Sequence, residues 1–194
     1  LKDTLSLATS LQMGADTIMV LYDNTYWGNQ AKEEFFSLQR SFSSYRFAGL
    51  NFSQMKKEDF LEAIEKLDEK SIVLYISTTL DEDGNYYPGN QAMKMVLSRA
   101  NVPVYSYVML DNVKGFLAGR APDIKQMAKD ASLLMLDVLS GKKDVEKTAE
   151  EEDSPGKLTV DNRVLSAYHL SKARLPKNIV LEDTPQQWMM RYAR

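Results

Sequence analysis

The sequence contains no cysteine and a single histidine, His169. The absence of cysteine excludes disulfide bonds, thiolate zinc sites and thiol catalysis, and it is compatible with an oxidising or a reducing compartment. With one histidine, we expect neither a two-histidine metal site nor a serine–histidine catalytic pair with a second base. No second ligand lies near His169 in the sequence, which favours a structural histidine, either packed or exposed.

Excess basic charge and long apolar runs are also missing. The chain has 24 Lys and Arg against 27 Asp and Glu, and its net charge is −3. Without a basic stripe, we expect no nucleic-acid partner. No apolar run approaches the roughly 20 residues that a membrane-spanning helix needs, and the first residues show no signal-peptide pattern. We therefore expect the chain as given to be soluble.

Buried-strand patterns alternate with amphipathic helix patterns along the first 110 residues. The predicted strands cover residues 17–22, 45–52 and 72–76, with a fourth that opens at 102–104, and the predicted helices cover residues 1–13, 29–42, 57–67 and 88–100. This order favours a mainly parallel sheet with helices on both faces, a Rossmann-like three-layer α/β sandwich. With 194 residues, 44% of them hydrophobic, the chain has enough apolar mass for one domain or one and a half.

The second part of the chain has a different organisation. Pro122 opens a strong helix pattern that runs to about Leu139, and Gly141 ends it. Residues 142–156 follow as a solvated, acidic loop. The helix is expected to turn one apolar stripe inward, made of Ile124, Met127, Ala128, Ala131, Met135 and Val138. Left uncovered, such a stripe exposes several hundred Å², so we expect it to fold onto the sheet or to mediate self-association.

Polar and aromatic residues follow the predicted strands, at the positions where open α/β sheets bind small ligands. The candidate ligand-binding residues are Asp23, Asn24, Tyr26, Trp27, Thr78, Thr79, Tyr107 and Asp111. Backbone N–H groups near Gly28 are candidates to receive an anion, Trp27 to stack on an apolar group, and Asp111 to pair with an amine. The alternative roles are structural: Asp23 and Asn24 cap and turn the chain, the threonines end a strand, and Asp111 caps a helix or forms a hinge.

Catalytic and metal-binding interpretations are weaker. Asp23, Asp81, Asp83 and Asp111 are enough carboxylates for an acid/base pair or a magnesium site. However, no glycine-rich phosphate loop or nucleophile elbow accompanies them, so a non-enzyme is favoured over an α/β enzyme with strand-end carboxylates. Asp81 to Gly84 resembles part of a calcium loop but lacks the bidentate glutamate, which favours a solvated acidic turn. We expect no cofactor and no metal.

Four segments together resemble periplasmic solute-binding proteins of the ABC-transporter type. They are VLYDNTYWGN (residues 20–29), VLYISTTLDEDGNYYPGNQA (73–92), ANVPVYSYVMLDNVKGFLAG (100–119) and the closing segment from VDNRVLSAYHL (160–170) to Arg194. The resemblance implies a two-lobed fold with the ligand clamped between the lobes. This chain is similar to the second lobe (residues 1–112) plus the return crossing, acidic loop and C-terminal tail (residues 113–194). Most of the first lobe is then expected to lie outside the chain.

The resemblance is closer to the extracytoplasmic sensor domains of membrane histidine kinases. The loop from Asp81 to Pro88 is similar to an insertion of that signalling branch. The tail that begins at residues 174–176, continues through residues 179–182 and ends with Trp188, Tyr192 and Arg194 looks like a segment that leads into a membrane helix. An ordinary C-terminal helix with a buried Trp is the alternative. The resemblance implies an extracytoplasmic, membrane-tethered sensor for an amino-acid-like or aromatic molecule, with a possible homodimer; the alternative is a transporter substrate-binding protein.

Overall fold

The computed structural model describes residues 1–109, 113–144 and 156–183 of the chain. The strands are β1 (Thr17–Tyr22), β2 (Arg46–Asn51), β3 (Ser71–Tyr75), β4 (Val104–Val108), β5 (Ala118–Ala121), β6 (Lys157–Asp161) and β7 (Val180–Glu182). The α-helices are α1 (Lys2–Leu11), α2 (Tyr26–Ser37), α3 (Lys57–Glu65), α4 (Gly89–Leu97), α5 (Ile124–Leu139) and α6 (Asn162–Ala167). Short 3₁₀ turns cover Leu38–Phe42, Phe52–Gln54 and Lys172–Arg174.

The seven strands of the described residues form one sheet in the order β2-β1-β3-β4-β5-β6-β7. The strands from β1 to β5 pair in parallel, β6 runs antiparallel to β5, and β7 is parallel to β6. Every residue of β3, an interior strand of the sheet, is buried, as expected for a strand that helices cover on both faces. The predicted α/β class with a mainly parallel sheet is therefore confirmed.

Helices pack on both faces of the sheet and create two hydrophobic cores. The core on one face is formed by α1, α2 and α6 with the sheet, and it includes Leu5, Leu11, Phe35, Ile72, Leu74 and Leu165. The core on the other face is formed by α3 and α4 with the sheet, and it includes Phe60, Ile64, Val73, Tyr75 and Val96. Because burial on both faces fixes the strands in one register, the loops at the strand ends stand on a rigid platform.

Helix α2 begins earlier than the sequence pattern predicted. The apolar periodicity indicated a start at Asn29, whereas the helix begins at Tyr26. Thr25 is the N-cap, and its hydroxyl accepts a hydrogen bond from the Gly28 amide at 3.1 Å. The earlier start places Trp27 in the first turn of α2, directly after the end of β1.

Helix α5 does not pack as the sequence predicted. Its apolar stripe was expected to face inward, yet no residue of α5 is buried, and Met135 is 63% exposed. The interpretation in which the helix folds onto its own sheet is wrong. The reason is topological: the chain leaves the sheet after Ala121 and returns at Lys157, which pairs with Ala121 in antiparallel register. Helix α5 lies between these two strands in the chain and contributes no residue to either hydrophobic core.

No helix in the described part of the chain has the length and apolar character that crossing a membrane requires. Residues 179–182, which the sequence assigned to a tail leading towards a membrane, instead include β7, the edge strand that pairs with β6. The rest of that predicted tail, with Trp188 and Tyr192, lies outside the described residues, and so does the acidic part of the loop after α5.

Candidate functional site

The carboxyl ends of three neighbouring parallel strands bring the predicted site residues to one edge of the sheet. Leu21 of β1 pairs with Tyr75 of β3, and Tyr75 pairs with Ser106 of β4. Asp23 and Thr78 follow the first two strands, and Tyr107 lies near the end of the third. The prediction that these three residues share one edge is confirmed. We call this edge, with its loops, the carboxyl rim. Asp111 lies outside the described residues.

Asp23 joins the loops that follow β1 and β3. Its side chain is fully buried, and its Oδ2 accepts hydrogen bonds from the Ser77 hydroxyl (2.8 Å), the Thr79 amide (2.7 Å) and the Thr79 hydroxyl (2.9 Å). Its Oδ1 accepts from the amide and the hydroxyl of Thr25. Five donors use the acceptor capacity of a carboxylate, so Asp23 holds the two loops together.

Burial and hydrogen bonding act on Asp23 in opposite directions. Burial raises the pKa of a carboxyl, because it disfavours the charged form. The hydrogen bonds that Thr25, Thr79 and Ser77 donate stabilise the carboxylate, outweigh burial and hold the pKa of Asp23 below its usual value. Asp23 is therefore ionised at neutral pH, as its role as a five-fold acceptor requires.

The loop after β2 is attached to the same rim through Asn24 and Ser53. The Asn24 amide donates to the Ser53 hydroxyl at 3.0 Å, and the Asn24 side-chain oxygen accepts from Asn51 Nδ2 at 2.9 Å. The Ser53 hydroxyl in turn donates to the Leu80 carbonyl at 2.7 Å, in the loop after β3. Three consecutive strand ends are thus connected by side chains, which leaves the rim little freedom to rearrange.

The threonine hydroxyls also serve the protein itself. Thr78 is fully buried, and its hydroxyl lies 3.5 Å from the Tyr75 hydroxyl. Thr79 uses both its amide and its hydroxyl on Asp23. These contacts are in line with the structural alternative for the two threonines, in which they end strand β3. Their hydroxyls support the loops of the rim from below its exposed surface.

Aromatic side chains form the exposed part of the rim. Tyr26 is 82% exposed and Trp27 is 50% exposed. The Trp27 ring meets the Tyr107 ring edge to face, with 5.4 Å between the ring centroids and 77° between the planes. The Tyr107 hydroxyl donates a 2.8 Å hydrogen bond to Glu34 Oε2 of α2. Burial, together with the bond to Glu34, raises the pKa of Tyr107 to about 12, so this residue stays a neutral donor.

Gly28 allows α2 to start close against the Asp23 loop. A Cβ atom at this position would lie 2.4 Å from the backbone oxygen and from Oδ1 of Asp23. Real Cβ atoms do not come so close to backbone oxygen, so no other residue fits without moving the loop. The glycine therefore lets the first turn of α2, and Trp27 with it, stand directly on the rim.

The acidic loop after β3 is organised around Asp81 as a turn. The Asp81 carboxylate accepts hydrogen bonds from the Asp83 amide, from the amide and the side chain of Asn85, and from the Tyr87 hydroxyl. The Asp81 oxygens that would bind a calcium ion therefore already accept hydrogen bonds from the protein's own groups. Within the described ranges, no group of three or more His, Cys, Asp or Glu side chains forms a metal cluster.

His169 lies away from the rim. It follows α6 with a positive φ of 53°, and its amide donates to the Ser166 carbonyl at 3.1 Å. This is the geometry of a helix end. Its exposed side chain agrees with the structural role that the sequence indicated.

Besides Thr25, sequence reasoning missed four residues that build the rim. Ser77, Asn51 and Ser53 support its loops, and Glu34 binds Tyr107. The first three were detectable, because each is a small polar residue within two positions of a strand end. Glu34 gave no such signal, because it lies in the middle of a helix and its partner is 73 residues away.

Three solved structures share this fold. One is the ligand-free, open structure of a substrate-binding protein with adhesive properties from Clostridium difficile (18% identity, TM-score 0.61). Another is the ABC domain in complex with L-Trp from Streptococcus pneumonia (14%, 0.60), and a third is a conserved domain protein from Vibrio cholerae (15%, 0.63). They match 95%, 93% and 93% of this chain, respectively.

The chain spans 59–60% of the length of these three proteins. No protein-family model and no curated protein sequence matches it. At identities of 14–18%, the likeness concerns the fold. The chain has the α/β architecture of periplasmic-binding-protein-like domains.

Proposed function

We propose that this chain is one lobe, with a return crossing, of a substrate-binding protein that holds a small solute at the carboxyl rim. The observation that carries this proposal is the position of α5. Strand β5 is parallel to β4, so the chain leaves the sheet after Ala121 at the same edge that carries Trp27 and Tyr107. The exposed aromatic residues of the rim and the exposed apolar residues of α5 thus follow strands that end at the same edge of the sheet.

This arrangement supports a clamp with two lobes. The five most exposed large apolar residues of α5 are Ile124, Leu133, Met135, Leu136 and Leu139, and such a surface requires a partner. A lobe that packs on α5 stands opposite the carboxyl rim and encloses a solute bound there. In this proposal, residues 1–112 form the ligand-binding lobe, and residues 113–194 form the return crossing with its closing strands and tail.

The ligand class in this proposal is an amino-acid-like or aromatic solute. The exposed rings of Tyr26 and Trp27 offer surface for a flat apolar group, and Asn24 adds an exposed amide. The buried residues Asp23 and Thr78, with the half-buried Thr79, support this surface from beneath. Asp111 remains a candidate partner for a ligand amine. The L-Trp complex among the structural neighbours is consistent with this class.

The transporter-linked protein now ranks above the histidine-kinase sensor that the sequence resemblance favoured. Two of the structural neighbours are described as a substrate-binding protein and an ABC domain. Both versions place the chain outside the cytoplasm, and the sensor version adds a membrane tether and a homodimer. A membrane span and a kinase domain encoded after Arg194 identify the sensor; a lipid-anchor cysteine encoded upstream, with no later span, identifies the transporter protein.

An enzyme is the weakest of the three candidates. The Asp23 and Asp81 carboxylates lie in different loops, and each is occupied by donors from its own surroundings. A paired acid/base site needs two carboxylates that share one substrate position.

Binding of free amino acids tests the proposed function. Titration of the ¹⁵N-labelled chain with L-tryptophan, L-phenylalanine and L-leucine is expected to shift the amide resonances of the carboxyl rim, with weak affinity because one side of the clamp is open. Trp27→Ala should weaken L-tryptophan binding by about 1–3 kcal/mol through lost stacking and burial, with an unchanged unfolding temperature.

The matched control is Met13→Ala. Met13 is 66% exposed, like Trp27 a large exposed side chain, and it precedes β1 at the opposite edge of the sheet. Its substitution should leave the affinity unchanged. If saturating amino acid shifts no resonance of the rim, the proposed function is wrong.

A further inference from the structure

Tyr107 is held at both ends by one helix. Its ring lies against Trp27, and its hydroxyl donates to Glu34 at 2.8 Å. Trp27 and Glu34 are seven residues apart in α2, a separation of two helical turns that places both on the same face. The Tyr107 side chain therefore connects β4 to two points of α2 that lie two turns apart.

The two contacts differ in strength and in direction. The hydrogen bond to a carboxylate is charge-assisted, and it orients the phenol through its hydroxyl. The ring contact with Trp27 is edge to face, which requires the Tyr107 ring plane to stand at a steep angle to the indole. Without Glu34, the hydroxyl loses its partner and the ring is free to turn about its side-chain bonds, since Tyr107 is only half-buried.

We infer that Glu34 is a positioning residue, which holds Tyr107 against Trp27 and so gives the rim a preformed aromatic corner that selects solutes with an aromatic ring over aliphatic solutes with the same head group. This inference rests on the proposed function for its ligand. The claim that Glu34 holds Tyr107 against Trp27 concerns the ligand-free protein and can be tested without a ligand. Preorganisation is the physical reason: a corner that is already in place loses no side-chain freedom when the solute binds.

Trp27 itself reports on the corner. The chain has two tryptophans, so a Trp188→Phe background leaves Trp27 as the single indole. In that background, Glu34→Ala is expected to raise the rate of acrylamide quenching of Trp27 fluorescence, because the Tyr107 ring no longer covers one side of the indole. Glu34→Gln retains a side-chain oxygen that accepts from the Tyr107 hydroxyl, so it should restore the wild-type quenching rate.

The binding arm uses L-tryptophan and L-leucine. Glu34→Ala should weaken L-tryptophan binding about three- to tenfold, the range expected for one aromatic pair, and should leave L-leucine binding within twofold of the wild type. Glu33→Ala is the matched control, because it removes the neighbouring exposed carboxylate of the same helix. It should change neither quenching nor selectivity. Equal unfolding temperatures of these variants establish that the fold is intact.

The outcomes separate this inference from the proposed function. If Glu34→Ala leaves Trp27 quenching at the wild-type rate, Glu34 does not position the corner and the inference is overturned. If quenching rises but the preference for L-tryptophan over L-leucine is unchanged, the corner does not set selectivity, which also overturns it. Failure of the wild type to bind any amino acid at the rim removes the proposed function, and the selectivity claim with it.

Discussion

Ser77 donates its hydroxyl hydrogen to Asp23 Oδ2 across 2.8 Å, and this bond joins loops that are 54 residues apart in the sequence. The bond is one of five that converge on the same buried carboxylate. Ser77 and Thr79 supply three of these bonds from the end of β3, and Thr25 supplies two from the cap of α2. The shape of the carboxyl rim therefore depends on one ionised side chain.

The first prediction is that Asp23→Ala lowers the free energy of unfolding by about 2–4 kcal/mol, because it leaves several donors at the rim without their acceptor. Chemical denaturation of both proteins measures the difference. Asp83→Ala is the control, since Asp83 is an exposed carboxylate in the loop after β3, and it should cost less than about 0.5 kcal/mol. Equal losses for the two variants would show that Asp23 does not hold the loops.

The second prediction concerns acid stability. The pKa of Asp23 is lower in the folded protein than its ordinary value, which is about 3.9 in an unfolded chain. Asp23 therefore contributes stability that is fully present above about pH 4 and is lost as the pH falls through the lower, folded pKa. Denaturation between pH 2 and pH 7 should show a smaller acid loss for Asp23→Asn than for the wild type. Parallel stability curves in acid would contradict this assignment.

The third prediction uses two glycines of different surroundings. Gly28→Ala forces a Cβ atom to within 2.4 Å of Asp23 oxygens, whereas Gly89 has no atom within 4 Å of its Cβ position. We expect Gly28→Ala to destabilise the fold by about 2–4 kcal/mol through overpacking and displacement of the loop. Gly89→Ala, in the first turn of α4, should be neutral or stabilising by less than about 1 kcal/mol. Thermal unfolding compares the pair, and similar unfolding temperatures would disprove the close approach.

The rim was partly predictable because strand ends are visible in the sequence. The bounds of β1 agree with the prediction, since the run from Ile18 to Leu21 is continuously apolar and Asp23 marks the end of the strand. Parallel order then brings the loops together without any knowledge of contacts. The role of Asp23 was not predictable to the same degree, because its donors lie in another loop and pattern alone does not reveal which polar residues meet.

The second part of the sheet was harder to predict. Strand β5 has the sequence Ala-Gly-Arg-Ala, which carries neither an apolar run nor an alternating pattern. Its antiparallel neighbour β6 is separated from it in the chain by residues 122–156, and the two strands pair through backbone hydrogen bonds, which the side-chain pattern does not reveal. For α5, periodicity correctly indicated a helix from about residue 122 to Leu139. Periodicity describes the faces of a helix but does not identify what covers them, and this is why the inward stripe was wrong.

The fourth prediction follows from that uncovered helix. Leu136 is 62% exposed and Met135 is 63% exposed on α5, and water-exposed apolar surface of this extent drives association. Without a covering lobe, the isolated chain should self-associate through α5, and light scattering should show a mass that rises with concentration. Leu136→Glu should shift the chain towards the monomer, because association then buries an unpaired carboxylate. Ser132→Glu, an exposed polar position of the same helix, should weaken association less. A chain that stays monomeric at every concentration would show that the face of α5 needs no partner.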